Sequence, residues 1–256
     1  MKSIKTRYHL LDEARGLAVF CMVFYHAFYT MSWMFSMPLG DTLLNFFAPA
    51  EPFFAAFFIF LSGISCYLTR SNLKRGLKLA VVSILLTVVT VVILPYFNIE
   101  GAEIYFGILH LLSLGMLLVA LLNKVIKAIP IFIGAILFLI LFLAFYNVER
   151  GYIGFGELKI ALPDTLYENN NLFILGFHSN TFYSADYFPV LPWIFMFFSG
   201  AFVGRLAKAN KFPAFLKKKL IPPLAFLGRH ALIVYLLHQP IIYGLLFGID
   251  YILNLF

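Results

Sequence analysis

The chain is 256 residues long, 62% hydrophobic and only 12% charged, with a formal net charge of +7. A water-soluble domain carries roughly a quarter of its residues as Asp, Glu, Lys and Arg, so this composition excludes water as the main solvent. Apolar runs of about 20 residues, enough to cross a hydrocarbon core about 30 Å thick, recur without a period-2 strand pattern, which predicts an all-α polytopic transmembrane helix bundle of about seven helices.

The first run begins near Leu10 and is far longer than a signal-peptide core. No small-residue cleavage site follows it, so it is expected to be retained as a helix. Hydropathy places helices near Leu10 to Trp33, Pro52 to Thr69, Leu77 to Phe97, Ile104 to Leu122, Ile129 to Tyr146, Phe188 to Leu206 and Leu224 to Phe247. They form a single transmembrane domain over 1–256, with one long external loop at about 147–187. Its apolar stretch LFILGF is too short to span and is expected to pack as a lid or a re-entrant element.

An N-in/C-out orientation puts Lys2, Lys5, Arg7, Arg70, Lys74, Arg75, Lys78, Lys124, Lys127 and the basic residues from Arg205 to Lys219 on the cytoplasmic side, with Arg15 and Arg229 at inner helix ends. Only Arg150 and Lys159 are then outside, whereas every acidic residue except Asp12 and Glu13 is, as the positive-inside rule predicts. The net positive charge is therefore topology and anionic-lipid contact, with no nucleic acid partner expected. A basic inner face also suits an anionic cofactor.

The two cysteines, Cys21 and Cys66, stand at no metal-ligand spacing and are expected to be small buried hydrophobes. LSGIS at 61–65 and SGAFVG at 199–204 set small residues at helical spacing, as close helix packing requires. Trp193, Tyr187 and Phe188 are placed as interfacial anchors. His9 and His178 need no special account, and no nucleotide-binding glycine loop, serine nucleophile elbow or zinc-protease helix is present.

Ionisable side chains at membrane depth cost about 2.5–3.5 kcal/mol each on insertion scales, so each is a functional candidate. In the first helix Arg15 and His26 are eleven positions apart, about three turns plus 20°, which puts them on one face about 16 Å apart along the axis. Counting residues from the helix ends sets His110 and His238 at a depth similar to that of His26. Imidazole is the natural proton acceptor near neutral pH. His238 is followed by Gln239 and by Pro240, whose missing N–H makes a local polar break.

The arginine, ten residues, histidine arrangement, with FLSGIS ending the second helix, resembles the acyltransferase-3 group of membrane enzymes. LLDEARGLAVFCMVFYH, FGILHLL, YFPVLPW and GRHALIVYLLHQP, in that order over nearly the whole chain, resemble more closely the bacterial relatives of the heparan-alpha-glucosaminide N-acetyltransferase catalytic-domain family. The resemblance implies a transmembrane acyl-CoA-dependent N- or O-acyltransferase of the cell membrane. Its donor would be cytoplasmic acetyl-CoA or another acyl-CoA, its acceptor an amino or hydroxyl group of an extracytoplasmic sugar or similar molecule, and no metal is expected.

By position, His26 falls on the motif histidine as catalytic base and Arg15 on the arginine that would meet CoA phosphate. Arg229 at the inner end of the last helix is a second phosphate donor, and Asp12 belongs to the same donor end. His238, His110 or Gln239 would orient the base or stabilise an oxyanion. Gln239, Trp193, Asp186 and Glu51 are the candidate acceptor contacts. The sequence departs from the family pattern in three ways. Lysosomal members carry asparagine where His26 stands and a catalytic histidine further on, whereas no histidine follows here until His110. Ala231 stands where relatives often have serine. Seven helices are also fewer than the ten or more common in these groups, which leaves room for completion by a homo-oligomer.

The alternatives are a proton-coupled small-solute transporter relaying protons through the same histidines, a zinc site of His26, His110 and His238, and a structural membrane subunit. The first would carry related halves or paired broken helices, and the sequence has neither.

Overall fold

The computed structural model describes residues 7–253; Lys2 and Lys5, counted above among the inner charges, lie outside them. In chain order the helices are α1 (His9–Trp33), α2 (Pro38–Phe47), α3 (Glu51–Ser65), α4 (Asn72–Thr87), α5 (Leu94–Tyr96), α6 (Ile108–Leu121), α7 (Asn123–Ala128), α8 (Ile131–Phe145), α9 (Val190–Lys208), α10 (Pro222–Arg229) and α11 (Ala231–Leu253). The architecture is the expected all-α polytopic bundle. Among the described residues six helical stretches are long and apolar enough to cross a membrane: His9–Trp33, Pro38–Ser65, Asn72–Tyr96, Ile131–Arg150, Val190–Lys208 and Ala231–Ile252. The seventh apolar helix, α6, has only 14 residues and is shorter than a full span.

Two spans and the external loop differ from the hydropathy reading. The second span begins earlier, because α2 runs into α3 through a single 3-10 turn at Ala48–Ala50. The last span is broken at His230, where α10 ends and α11 starts. The external loop carries a β-hairpin, β1 (Tyr152–Phe155) antiparallel to β2 (Leu158–Ala161), although the sequence shows no strand periodicity. Four-residue strands, with Gly154 in the first and Gly156 in the turn both at positive φ, are too short to produce one. The LFILGF stretch forms one 3-10 turn, Phe173–Leu175, ended by Gly176 in the left-handed region.

The chain divides into two compact units, one of residues 1–61 with 212–256 and one of residues 62–211, and α3 carries the chain from the first to the second. In the first unit α1 packs along α10 with almost no space between backbones. A Cβ on Gly16 would stand 1.9 Å from the Leu224 carbonyl oxygen, and one on Gly228 would stand 1.8 Å from that of Asp12. Ala18, Val19 and Ala225 are buried around this seam.

In the second unit Phe197 and Phe202 of α9 are fully buried, and a Cβ on Gly134 of α8 would collide with the Phe202 ring. The Ser199 hydroxyl donates to the Ala135 carbonyl (2.9 Å) and that of Ser113 to the Gly76 carbonyl (3.1 Å), so small polar residues tie neighbouring helices where their backbones approach. Both small-residue segments serve as packing surfaces: Gly63 faces the Phe197 carbonyl and Gly204 the Ile64 carbonyl. Leu and Ile side chains of α4, α8 and α11 are exposed in numbers that only lipid explains.

Candidate active site

The polar groups of the first unit gather at two levels of α1. At its N-terminal end Asp12 is held between two guanidinium groups. Arg7 donates to Oδ2 through Nε (2.9 Å) and Nη2 (2.8 Å), and Arg15 donates to Oδ1 through Nη1 (3.3 Å). Arg15 also donates to the Gly228 carbonyl (3.3 Å), an acceptor within reach because of the glycine seam. Arg229, next in sequence, ends α10 and is exposed. Glu13 is buried, and its Oε1 accepts the Leu220 N–H at 2.8 Å, tying the segment before α10 to α1.

Three turns along α1, His26 meets α11. The His26 and His238 rings have their centroids 5.0 Å apart with an interplanar angle of 55°. Gln239 Nε2 donates to His26 Nδ1 at 3.1 Å. Thr30, one turn beyond His26 and fully buried, shares its one hydroxyl proton between the His26 carbonyl (2.8 Å) and Gln239 Oε1 (3.2 Å). His238 Nδ1 donates to the Tyr235 carbonyl (2.6 Å), while its Nε2 is buried without a hydrogen-bond partner among the described residues. α11 continues through Pro240, which has no N–H to give the carbonyl one turn back and so loosens the turn holding His238 and Gln239. Arg15 and His26 thus share one face, as their spacing requires, and that face meets α10 and α11.

His110 lies in the second unit. Its Nδ1 accepts the Gly107 N–H (3.2 Å) at the start of α6. Its Nε2 stands 3.3 Å from the Thr87 hydroxyl, which itself donates to the Ile104 carbonyl (2.8 Å), so the ring N–H donates to Thr87. Both imidazole nitrogens are thereby engaged locally, tying the start of α6 to the end of α4.

The residues expected to contact the acceptor have local roles in the fold. Asp186 accepts the Ile108 N–H through Oδ2 (2.9 Å), satisfying an amide at the open end of α6. Glu51 is the first residue of α3. Trp193 is buried against Phe142 and Phe188, at ring distances of 5.5 and 5.0 Å, and belongs to the core rather than to the interfacial belt expected for it. Tyr187 is also committed inward, its hydroxyl donating to the Phe173 carbonyl at 2.5 Å and its pKa raised by burial and by the nearby Glu149. Among the described residues no group of three or more metal-ligating side chains occurs.

Thr30 and Glu13 were not singled out by sequence. Thr30 had a usable signal, since a hydroxyl four residues after His26 lies over its carbonyl on the same face. Glu13 had none, because an acidic residue near a helix N-terminus is ordinary.

Fold and site together define a polytopic helical membrane protein that holds two imidazoles and a carboxamide against one another between its first and last long helices. The family model described as heparan-alpha-glucosaminide N-acetyltransferase, catalytic, matches residues 7–240, and the chain belongs to that family. Membership implies a membrane acetyltransferase in general terms. No curated protein and no solved structure matches the chain.

Proposed function

We propose that the protein transfers an acyl group, acetyl in the first instance, from cytoplasmic acyl-CoA to an amino or hydroxyl group of an extracytoplasmic, sugar-like acceptor, as a multi-pass enzyme of the cell membrane with its N-terminus inside. The observation that carries this reading is the meeting of His26, His238 and Gln239 inside an apolar helix pair, in a chain that belongs to an acetyltransferase family. Paired imidazoles at membrane depth have no structural necessity, and acyl transfer needs both a proton acceptor and a donor to an oxyanion.

The donor would enter at the basic end of α1. Arg15 and Arg229 would receive CoA phosphates, with Asp12 holding Arg15 in place. An extended pantetheine arm would then follow α1 toward His26, about 16 Å away at 1.5 Å per residue. The thioester would arrive where the two imidazoles meet, and the acceptor would come from the opposite side of the membrane.

The test is titration of detergent-purified protein with acetyl-CoA, followed by incubation with [14C]acetyl-CoA and glucosamine as a probe acceptor. Saturable binding that weakens in Arg15→Ala, with label transferred to the sugar or released as acetate, supports the reading. A wild-type protein that neither binds acetyl-CoA nor turns it over overturns it.

A further inference from the structure

The two imidazoles differ in which nitrogen their surroundings have used. A carbonyl oxygen can only accept, so the 2.6 Å contact between His238 Nδ1 and the Tyr235 carbonyl fixes the proton of neutral His238 on Nδ1. Its lone pair is then on Nε2, which is buried and meets no donor among the described residues. An orphaned buried acceptor is costly and calls for a proton-bearing partner that arrives from elsewhere.

The neighbouring ring is set the opposite way. Gln239 Nε2, which can only donate, stands 3.1 Å from His26 Nδ1, while Gln239 Oε1 lies 3.2 Å from the Thr30 hydroxyl, whose one proton is shared with the His26 carbonyl at 2.8 Å. His26 Nδ1 is therefore an acceptor, so neutral His26 carries its proton on Nε2. Side by side, with ring centroids 5.0 Å apart, one imidazole offers a lone pair and the other an N–H.

From this complementarity we infer that His238, through Nε2, is the general base of acyl transfer, and that His26, through its Nε2–H, donates to the thioester carbonyl oxygen. Gln239 and Thr30 are positioning residues that hold His26 in the donating tautomer. The assignment rests on the acyl-transfer reading and departs from the sequence expectation, which gave His26 the base. As the acceptor nitrogen or oxygen attacks the thioester carbon, its proton passes to His238 Nε2, and the negative charge on the carbonyl oxygen is met by His26 Nε2–H. On collapse the carbon–sulfur bond breaks, and the imidazolium returns its proton to the leaving CoA sulfur. The products are acylated acceptor and free CoA thiol, with both imidazoles as they began.

The two roles respond differently to substitution, because an asparagine amide overlays the Nδ1 position of a histidine and a glutamine amide the Nε2 position. His26→Gln keeps a donor where the oxyanion would sit and should retain activity within about tenfold, whereas His26→Asn should lose about 10²- to 10³-fold in kcat. His238→Asn preserves the bond to the Tyr235 carbonyl but deletes the base, and should lose about 10²- to 10⁴-fold in kcat with acetyl-CoA affinity unchanged. Added imidazole should restore part of the activity of His238→Ala and none of that of His26→Ala. Rescue of His26→Ala but not of His238→Ala, or a His238→Asn enzyme within threefold of wild type, overturns the assignment while leaving acyl transfer itself standing. Absence of turnover in the wild type overturns the underlying reading, and the assignment with it.

Discussion

The closest backbone approach in the first unit gives the sharpest stability prediction. A Cβ on Gly16 would stand 1.9 Å from the Leu224 carbonyl oxygen and 3.0 Å from the Gly228 nitrogen. An ordinary non-bonded separation is about 3.5 Å, so Gly16→Ala requires α10 to retreat by roughly 1.5 Å. Both contacts are with backbone atoms, so nothing but the helix itself can yield. Overpacking of this kind costs about 1–3 kcal/mol. The retreat also carries the Gly228 carbonyl away from Arg15, whose bond to it is already 3.3 Å long. Gly16→Ala should therefore unfold several degrees below wild type in a detergent melt followed by tryptophan fluorescence, and should bind acetyl-CoA more weakly. Gly228→Ala, which meets the Asp12 carbonyl at 1.8 Å, should behave alike. Because either substitution alone opens the seam, the double variant should be less destabilised than the sum by about 0.5–3 kcal/mol. A Gly16→Ala protein that melts with wild type, or strictly additive losses, would refute this account of the α1–α10 contact.

Thr30→Val keeps shape but removes the hydroxyl that orients Gln239, and should lower kcat by about threefold to thirtyfold while costing about 1 kcal/mol of stability, read by turnover and melting. Glu13→Gln retains an acceptor for the Leu220 N–H and should be nearly silent in a melt, whereas Glu13→Ala orphans that amide and should cost about 1–3 kcal/mol. Asp186→Ala should cost about 0.5–2 kcal/mol by leaving the Ile108 N–H at the open end of α6 unsatisfied. Tyr187 has its folded pKa raised, so its contribution to stability is fully present below the ordinary tyrosine range and is lost progressively as pH rises from that range, where the unfolded chain ionises, toward the higher folded pKa. Tyr187→Phe should accordingly flatten the alkaline limb of a plot of melting temperature against pH.

Much of the architecture is written in the hydropathy, because a bilayer demands long apolar helices and little else satisfies their backbones. Helix periodicity also carries information about direction: the eleven-residue spacing puts Arg15 and His26 on one face, and the structure turns that face toward the Gly228 carbonyl and Gln239. What counting residues cannot supply is the identity of each neighbour. His110 and His238 stand at similar computed depth, yet His110 spends both nitrogens on Thr87 and the Gly107 amide while His238 faces His26. The break at His230 escaped notice because leucine, alanine and arginine around it are good helix formers, and no internal proline or glycine pair marks the joint. Trp193 misled for a related reason: aromatic residues near a span end are usually interfacial, but α9 turns this one inward onto Phe142.

The most direct test of the central claim is an experimental structure of the wild-type protein with acetyl-CoA bound. The account predicts the phosphates beside Arg15 and Arg229, the pantetheine arm running along α1, and the thioester carbonyl within hydrogen-bonding distance of His26 Nε2, with His238 Nε2 open to an incoming acceptor. A thioester resting away from both imidazoles, or a nucleotide bound at the opposite end of α1, would contradict it.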